Sequence, residues 1–190
     1  NKSQTYHMEF SNSRMIQSKH LISYGGNFRH NEFNDSTAPE GKKRDDGGAY
    51  FQDEILLSKH FRWVVSARID KFDNLNGVVF SPRTTFMVKP LAGQTFRISY
   101  NRAYMAPSMI MNFYDQYALF QIDLGLFDPR LAGNCYSFPM HAVGNRNLEE
   151  QSLNAYEAGY TATVANGRAS FGAAFYINDS KGDFTWVQTD

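Results

Sequence analysis

No apolar run in this chain approaches the ~18 residues that carry a helix across a membrane, which excludes a helical membrane protein. There is one cysteine, Cys135, so an internal disulfide framework is impossible. There is no excess of charge either. Lys and Arg together number 19, and so do Asp and Glu, so no net field draws the chain to nucleic acid. No secretory leader opens it, and its pattern stops without a terminating signal over 186–190. The expectation is a piece of a longer protein.

Aromatic residues are abundant, at 15% with 16 Phe and 11 Tyr. Mean hydropathy is nevertheless negative. That combination fits sheets that are apolar on one face and wet on the other. The clearest case is 79–108. Phe96, Ile98, Tyr100, Arg102 and Tyr104 alternate with Thr95, Arg97, Ser99, Asn101 and Ala103, and strand side chains alternate faces. A partner arm over 80–89 precedes it, across the turn residues 90–94. Each arm holds about ten residues, beyond the ~5–6 of an ordinary strand and close to a tilted bilayer crossing.

The same unit recurs. Strands are expected over 5–10, 19–30, 49–57, 61–70, 153–162 and 169–178, with Asn166-Gly167 as a hairpin turn. Asp53 breaks the apolar row of the third strand. Connections after alternate strands are short (11–18, 58–60, 90–94, 164–168) and the others longer (31–48, 71–78, 105–146). Only a short helix within 108–120 is expected in the longest of these. Long–short alternation gathers the long loops at one end, as in transmembrane β-barrels. The fold class expected is all-β, an antiparallel up-and-down transmembrane β-barrel, here an incomplete section of about eight strands.

Several segments resemble the barrel of TonB-dependent outer-membrane receptors. Ala49-Tyr50-Phe51-Gln52-Asp53-Glu54 is similar to a recurrent strand of that family, and 67–72 to a strand ending in Arg-x-Asp. The segments 80–90 and 95–108 resemble its Ser-Pro-Arg…Ala-Pro-Ser passage, and 147–160 a later strand. In that strand Glu150, Gln151 and Ala158 stand where Pro, Glu and Leu are usual. The resemblance implies a bacterial outer-membrane location and contact with outer-membrane lipid. It also implies import of a scarce nutrient (siderophore, cobalamin, glycan or peptide) energised by the TonB complex through a plug domain. Residues 1–190 are expected to be one partial barrel domain without the plug or final strands. The alternatives are a passive porin or other barrel without TonB, and a soluble β-sandwich binding module.

Candidate chemistry is sparse. On the barrel reading, Arg68, Asp70, Arg83 and Arg97 face the lumen as a solvated ladder, with substrate contact the alternative. Arg102 lies in the apolar row near the strand end, where its stem can snorkel. Asp53, Glu54 and Glu157 are separate carboxylates with no positioned nucleophile, so no enzyme is expected. Cys135, Met140 and His141, with Met105, Met109 and Met111, form the one soft-ligand collection, without metal-ligand spacing. Asn178 to Asp183 has the composition of a calcium loop, which a Gly-containing extracellular turn explains as well. No cofactor and no metal site are assigned. Tyr6, Tyr24, Phe28, Tyr50, Trp63, Phe80, Tyr100, Tyr104, Tyr156 and Tyr160 suit interfacial girdles. Phe113, Tyr114, Tyr117 and Phe120, in the longest loop, have no such role and are the candidates for substrate contact.

Overall fold

The computed structural model describes residues 2–185 and 187. The pattern break expected over 186–190 lies outside the described residues, Val187 apart. Eight strands form one antiparallel sheet: β1 (Lys2–Ile16), β2 (His20–Asn34), β3 (Lys43–Leu56), β4 (Phe61–Phe72), β5 (Val78–Val88), β6 (Gln94–Met105), β9 (Gln151–Val164) and β10 (Ala169–Lys181). Each is bonded to its sequence neighbour, except that β6 pairs with β9. Between those two, the chain forms α1 (Met109–Phe113) and a separate hairpin, β7 (Asp115–Asp123) with β8 (Cys135–Val143). Two short 3-10 turns, Leu124–Leu126 and Pro129–Leu131, lie at the tip of that hairpin. Among the described residues no helix is long and apolar enough to cross a membrane, which says nothing of strands.

The strands outrun the expected boundaries. Residues 11–18, expected as a turn, continue β1 to Ile16, and the reversal is confined to Gln17–Lys19 with Gln17 and Ser18 at φ 49° and 53°. Alternation fails over 11–16 because both faces are polar, yet a ladder needs only backbone groups. The Ser13 and Ser23 hydroxyls bond across the pair at 2.8 Å. The loop expected over 31–48 shrinks to 35–42 for the same reason, with Asn34 and Lys43 still in strands. The long region 105–146 is a folded element rather than an open loop. Turns and loops nonetheless fall at opposite strand ends, as the alternation requires.

By contacts the chain divides into two compact units. Among the described residues one comprises 2–4, 32–43 and 107–148; the other, 5–31, 44–106, 149–185 and 187. The second has almost no conventional core. Among the described residues of the whole chain, the buried apolar side chains are Ala38, Leu75, Val79, Pro107, Met109 and Ala162. The large apolar residues instead lie open on one sheet face. In β4, Trp63, Val65 and Ile69 are exposed, while the alternating Arg62, Val64, Ser66, Arg68 and Asp70 are half-buried. A sandwich would pack that apolar face against a second sheet. Here its large apolar side chains stay exposed.

Candidate functional site

Register fixes which side chains share a face, because directly paired residues in an antiparallel ladder point the same way. Gln52, Ser66, Arg83, Asn101, Ala155 and Asn178 form one continuous row across β3–β10. Tyr50, Arg68 and Ser81 form the next, and Met87, Arg97, Gly159 and Ala174 another. These rows make the polar face. Arg68, Asp70, Arg83 and Arg97 all stand on it.

Most of its charges are paired. Arg68 donates from Nε to both Asp70 oxygens at 3.0 and 2.8 Å, and from Nη2 to Asn27 Oδ1 at 2.6 Å. Gly48 faces Asp70 across the ladder, and a Cβ there would meet the Asp70 carboxylate and Arg68 Nη2. The glycine is what lets a bidentate pair lie flat on the sheet. Arg62 pairs with Glu54 at 2.7 Å, and Arg97 with Glu157 at 2.5 Å. Arg97 lies over Gly159, which leaves space for its stem. Arg44 bonds Asp46 at 2.6 Å and lies over the Phe72 ring. Arg83 differs. Between Ser66 and Asn101, it has no hydrogen-bond or ion-pair partner among the described residues.

The opposite face carries the directly paired rings Phe96–Tyr160 and Tyr100–Tyr156, 4.4 and 5.2 Å apart, and the diagonal neighbours Phe61 and Phe86, 6.1 Å apart. Asp53, which interrupts this face, is matched by His20 Nδ1 at 2.7 Å. That partner sits far away in sequence, so the break in the row had no visible compensation.

The loop unit is a built element. Asn112, 2% exposed, donates Nδ2 to the Asn145 carbonyl at 2.9 Å. Asp115 N–H reaches Thr37 O at 2.9 Å and Gln116 Nε2 reaches Ser36 O at 2.8 Å. Phe113 packs against Gly41 and lies under the Arg146 guanidinium, which is paired with Glu40. Tyr117 stacks on His141, whose Nε2 meets Asp115 Oδ1 at 2.7 Å. Phe120 faces Phe138 three register steps further on, an odd number, so Tyr117 and Phe120 lie on opposite faces of the hairpin. The four loop aromatics therefore do not converge on one surface: Phe113 is engaged in packing, Tyr114 is half-buried beside it, and Tyr117 is 72% exposed.

Cys135 is exposed at the turn end of the β7–β8 hairpin, six positions from His141 along the strand. Among the described residues no group of three or more His, Cys, Asp or Glu is placed to hold a metal ion.

The family model for "TonB dependent receptor-like, beta-barrel" matches residues 1–190. This chain belongs to the TonB-dependent receptor β-barrel family. As such it is a bacterial outer-membrane protein, and its family is one of receptors and transporters rather than enzymes. Solved structures share the fold of this receptor section. The siderophore receptor PirA from Pseudomonas aeruginosa superposes with a TM-score of 0.75 at 17% identity, over 94% of this chain and 32% of that one. A ferric enterobactin receptor (PfeA) mutant from Pseudomonas aeruginosa, in complex with enterobactin, gives 0.70 at 19%, over 94% and 27%. The FrpB iron transporter from Neisseria meningitidis gives 0.66 at 13%, over 94% and 28%. The receptor chain thus spans a third or less of these structures' length. No curated protein matches the sequence.

Proposed function

We propose that this chain is part of the barrel wall of an outer-membrane receptor that imports a ferric siderophore with energy from the TonB complex. One observation carries the reading: the family match extends over the whole chain, and the sheet it describes has the required two faces. The structural neighbours named for siderophores and iron support the substrate class. On this reading the polar face looks into the lumen and the exposed apolar face meets lipid. Arg68, Asp70, Arg97 and Glu157 form a paired lining, and Arg83 is a lining cation available to an anionic ligand or to the plug. Tyr117 and Phe120, exposed on the β7–β8 hairpin, are the loop aromatics we assign to substrate contact.

Uptake of radiolabelled ferric siderophores into cells whose full-length receptor carries this chain tests the proposal. Saturable uptake that disappears with loss of TonB, and that falls several-fold in Arg83→Ala, is the expected outcome. Non-saturable, TonB-independent permeation would instead identify a passive pore and sink it.

A further inference from the structure

Each of the four short turns carries one basic residue and no carboxylate: Lys19 in 17–19, Lys59 in 57–60, Lys89 in 89–93 and Arg168 in 165–168. The longer connections 35–42, 73–77 and 106–150 carry the opposite bias, with more carboxylates than basic residues. The balanced total therefore hides a cationic turn end. Each turn is also tied to the next part of the sheet. Leu56 N–H donates to the Lys19 carbonyl at 2.7 Å, Lys89 N–H to the His60 carbonyl at 2.8 Å, and Thr163 N–H to the Gly93 carbonyl at 2.7 Å. These backbone bonds hold the rim in one register.

Two of those turns enclose, against β9, a hollow of about 430 Å³ whose lining includes Lys59, His60, Lys89, Thr95, Thr161 and Thr163. Thr95 pairs with Thr161 two positions from the Arg97–Gly159 pair, so both hydroxyls stand on the polar face. His60 Nδ1 donates to the Lys89 carbonyl at 2.7 Å, so the imidazole ties one turn to the other while the two ammonium groups supply the charge. The side chains of Lys59 and Lys89 have no hydrogen-bond or ion-pair partner among the described residues. The first carboxylates met along the polar face are Glu54 and Glu157, one row beyond Arg62 and Arg97, which hold them at 2.7 and 2.5 Å. The hollow is thus lined by one sign of charge, which concentrates the opposite ion.

In outer-membrane barrels the short turns are periplasmic, so with the polar face as lumen wall the hollow stands at the inner mouth of the lumen. Arg83, Thr85 and Met87 lead down the same face of β5 to Lys89. We propose that Lys59 and Lys89, with the Thr95, Thr161 and Thr163 hydroxyls, form an oxyanion site at that mouth. Its ligand is the imported ferric chelate, anionic through carboxylate or catecholate oxygens, which rests there as it leaves for the periplasm. His60 is a positioning residue that keeps the two turns together. The inference rests on the import reading and deepens it by assigning the exit. Exposed ammonium groups suit an exit, because each contact is weak enough to release what it attracts.

Two measurements on the full-length receptor test it. In crystals soaked in sodium bromide, an anomalous difference peak is expected in contact with the Lys59 and Lys89 ammonium groups, a measurement that needs no variant to fold. In cells, Lys59→Gln combined with Lys89→Gln is expected to lower the maximal rate of TonB-dependent uptake of a radiolabelled anionic ferric siderophore. The expected loss is about fivefold, the equivalent of two exposed charge contacts, while surface binding to de-energised cells keeps its affinity. Lys59→Arg with Lys89→Arg keeps both charges and is expected to keep the rate. No bromide at the two lysines overturns the site. A bromide peak with unchanged uptake in the double Gln variant marks an adventitious ion only and overturns the exit role. So does a rate loss matched by weaker binding of the purified periplasmic domain of TonB, since the rim would then be a docking surface for that protein. Absence of TonB-dependent uptake by the unaltered receptor sinks the import reading and the exit role with it, an outcome distinct from uptake that the variant leaves unchanged.

Discussion

Replacing Ile98 by Arg asks directly which solvent the apolar face meets. Ile98 is 61% exposed in the sheet, flanked by Phe86 and Ala158 on its own face. Were that exposure to water, Ile98→Arg would remove little buried area, and surface substitutions of this kind usually change stability by about 0.5 kcal/mol or less. If the face meets hydrocarbon, an arginine near the bilayer midplane costs about 2–4 kcal/mol. That is roughly a 30- to 700-fold change in the folding equilibrium. The internal control is Ser99→Arg, one position away on the polar face, where Thr85 and Glu157 are its paired neighbours. A cation beside Glu157 in a wet lumen should be near neutral. The measurement is the guanidinium unfolding midpoint of the full-length receptor in phospholipid vesicles, followed by tryptophan fluorescence. Equal shifts for the two variants, or a larger one for Ser99→Arg, would refute the assignment of the faces.

Three further outcomes are expected. Trp63→Phe removes the 2.8 Å bond from Nε1 to Thr84 Oγ1 and should cost about 0.5–1.5 kcal/mol in the same vesicle assay. Gly144→Ala brings a Cβ to 2.6 Å from the Met111 carbonyl. Overpacking of that kind costs about 1–3 kcal/mol, so limited proteolysis should cut 107–148 faster while the sheet stays protected. The Thr37 hydroxyl and then its backbone N–H hold the Asp35 carboxyl below its ordinary value. A depressed folded-state pKa means the turn is favoured above the usual aspartate pKa of about 3.9 and loses that support as pH falls through the lower folded value. In Thr37→Val, an NMR titration should find the Asp35 midpoint moved back up; an unmoved midpoint contradicts the cause.

Legibility followed sequence distance. The hairpin over 79–108 was readable because its alternation is local and one of its faces is apolar. The ends of β1, β2 and β3 were not, because strands that extend beyond an apolar environment lose the hydrophobic alternation while keeping the backbone ladder. The Arg68, Asp70, Arg83 and Arg97 set was recognisable as one-faced. Which of these are paired was not, since Asn27 and Glu157 come from other strands.

By itself the sequence determined the strand period, the short turns after β3, β5 and β9, the single cysteine and the one-sided chemistry of β4 and β6, all properties of neighbouring residues. Only the tertiary structure decided that β6 pairs with β9 across a folded insertion, and that His20 answers Asp53. It also decided that Phe113 is held by Gly41 and Arg146. Each depends on register between segments far apart in the chain, and a one-residue shift in that register would turn every side chain to the other face.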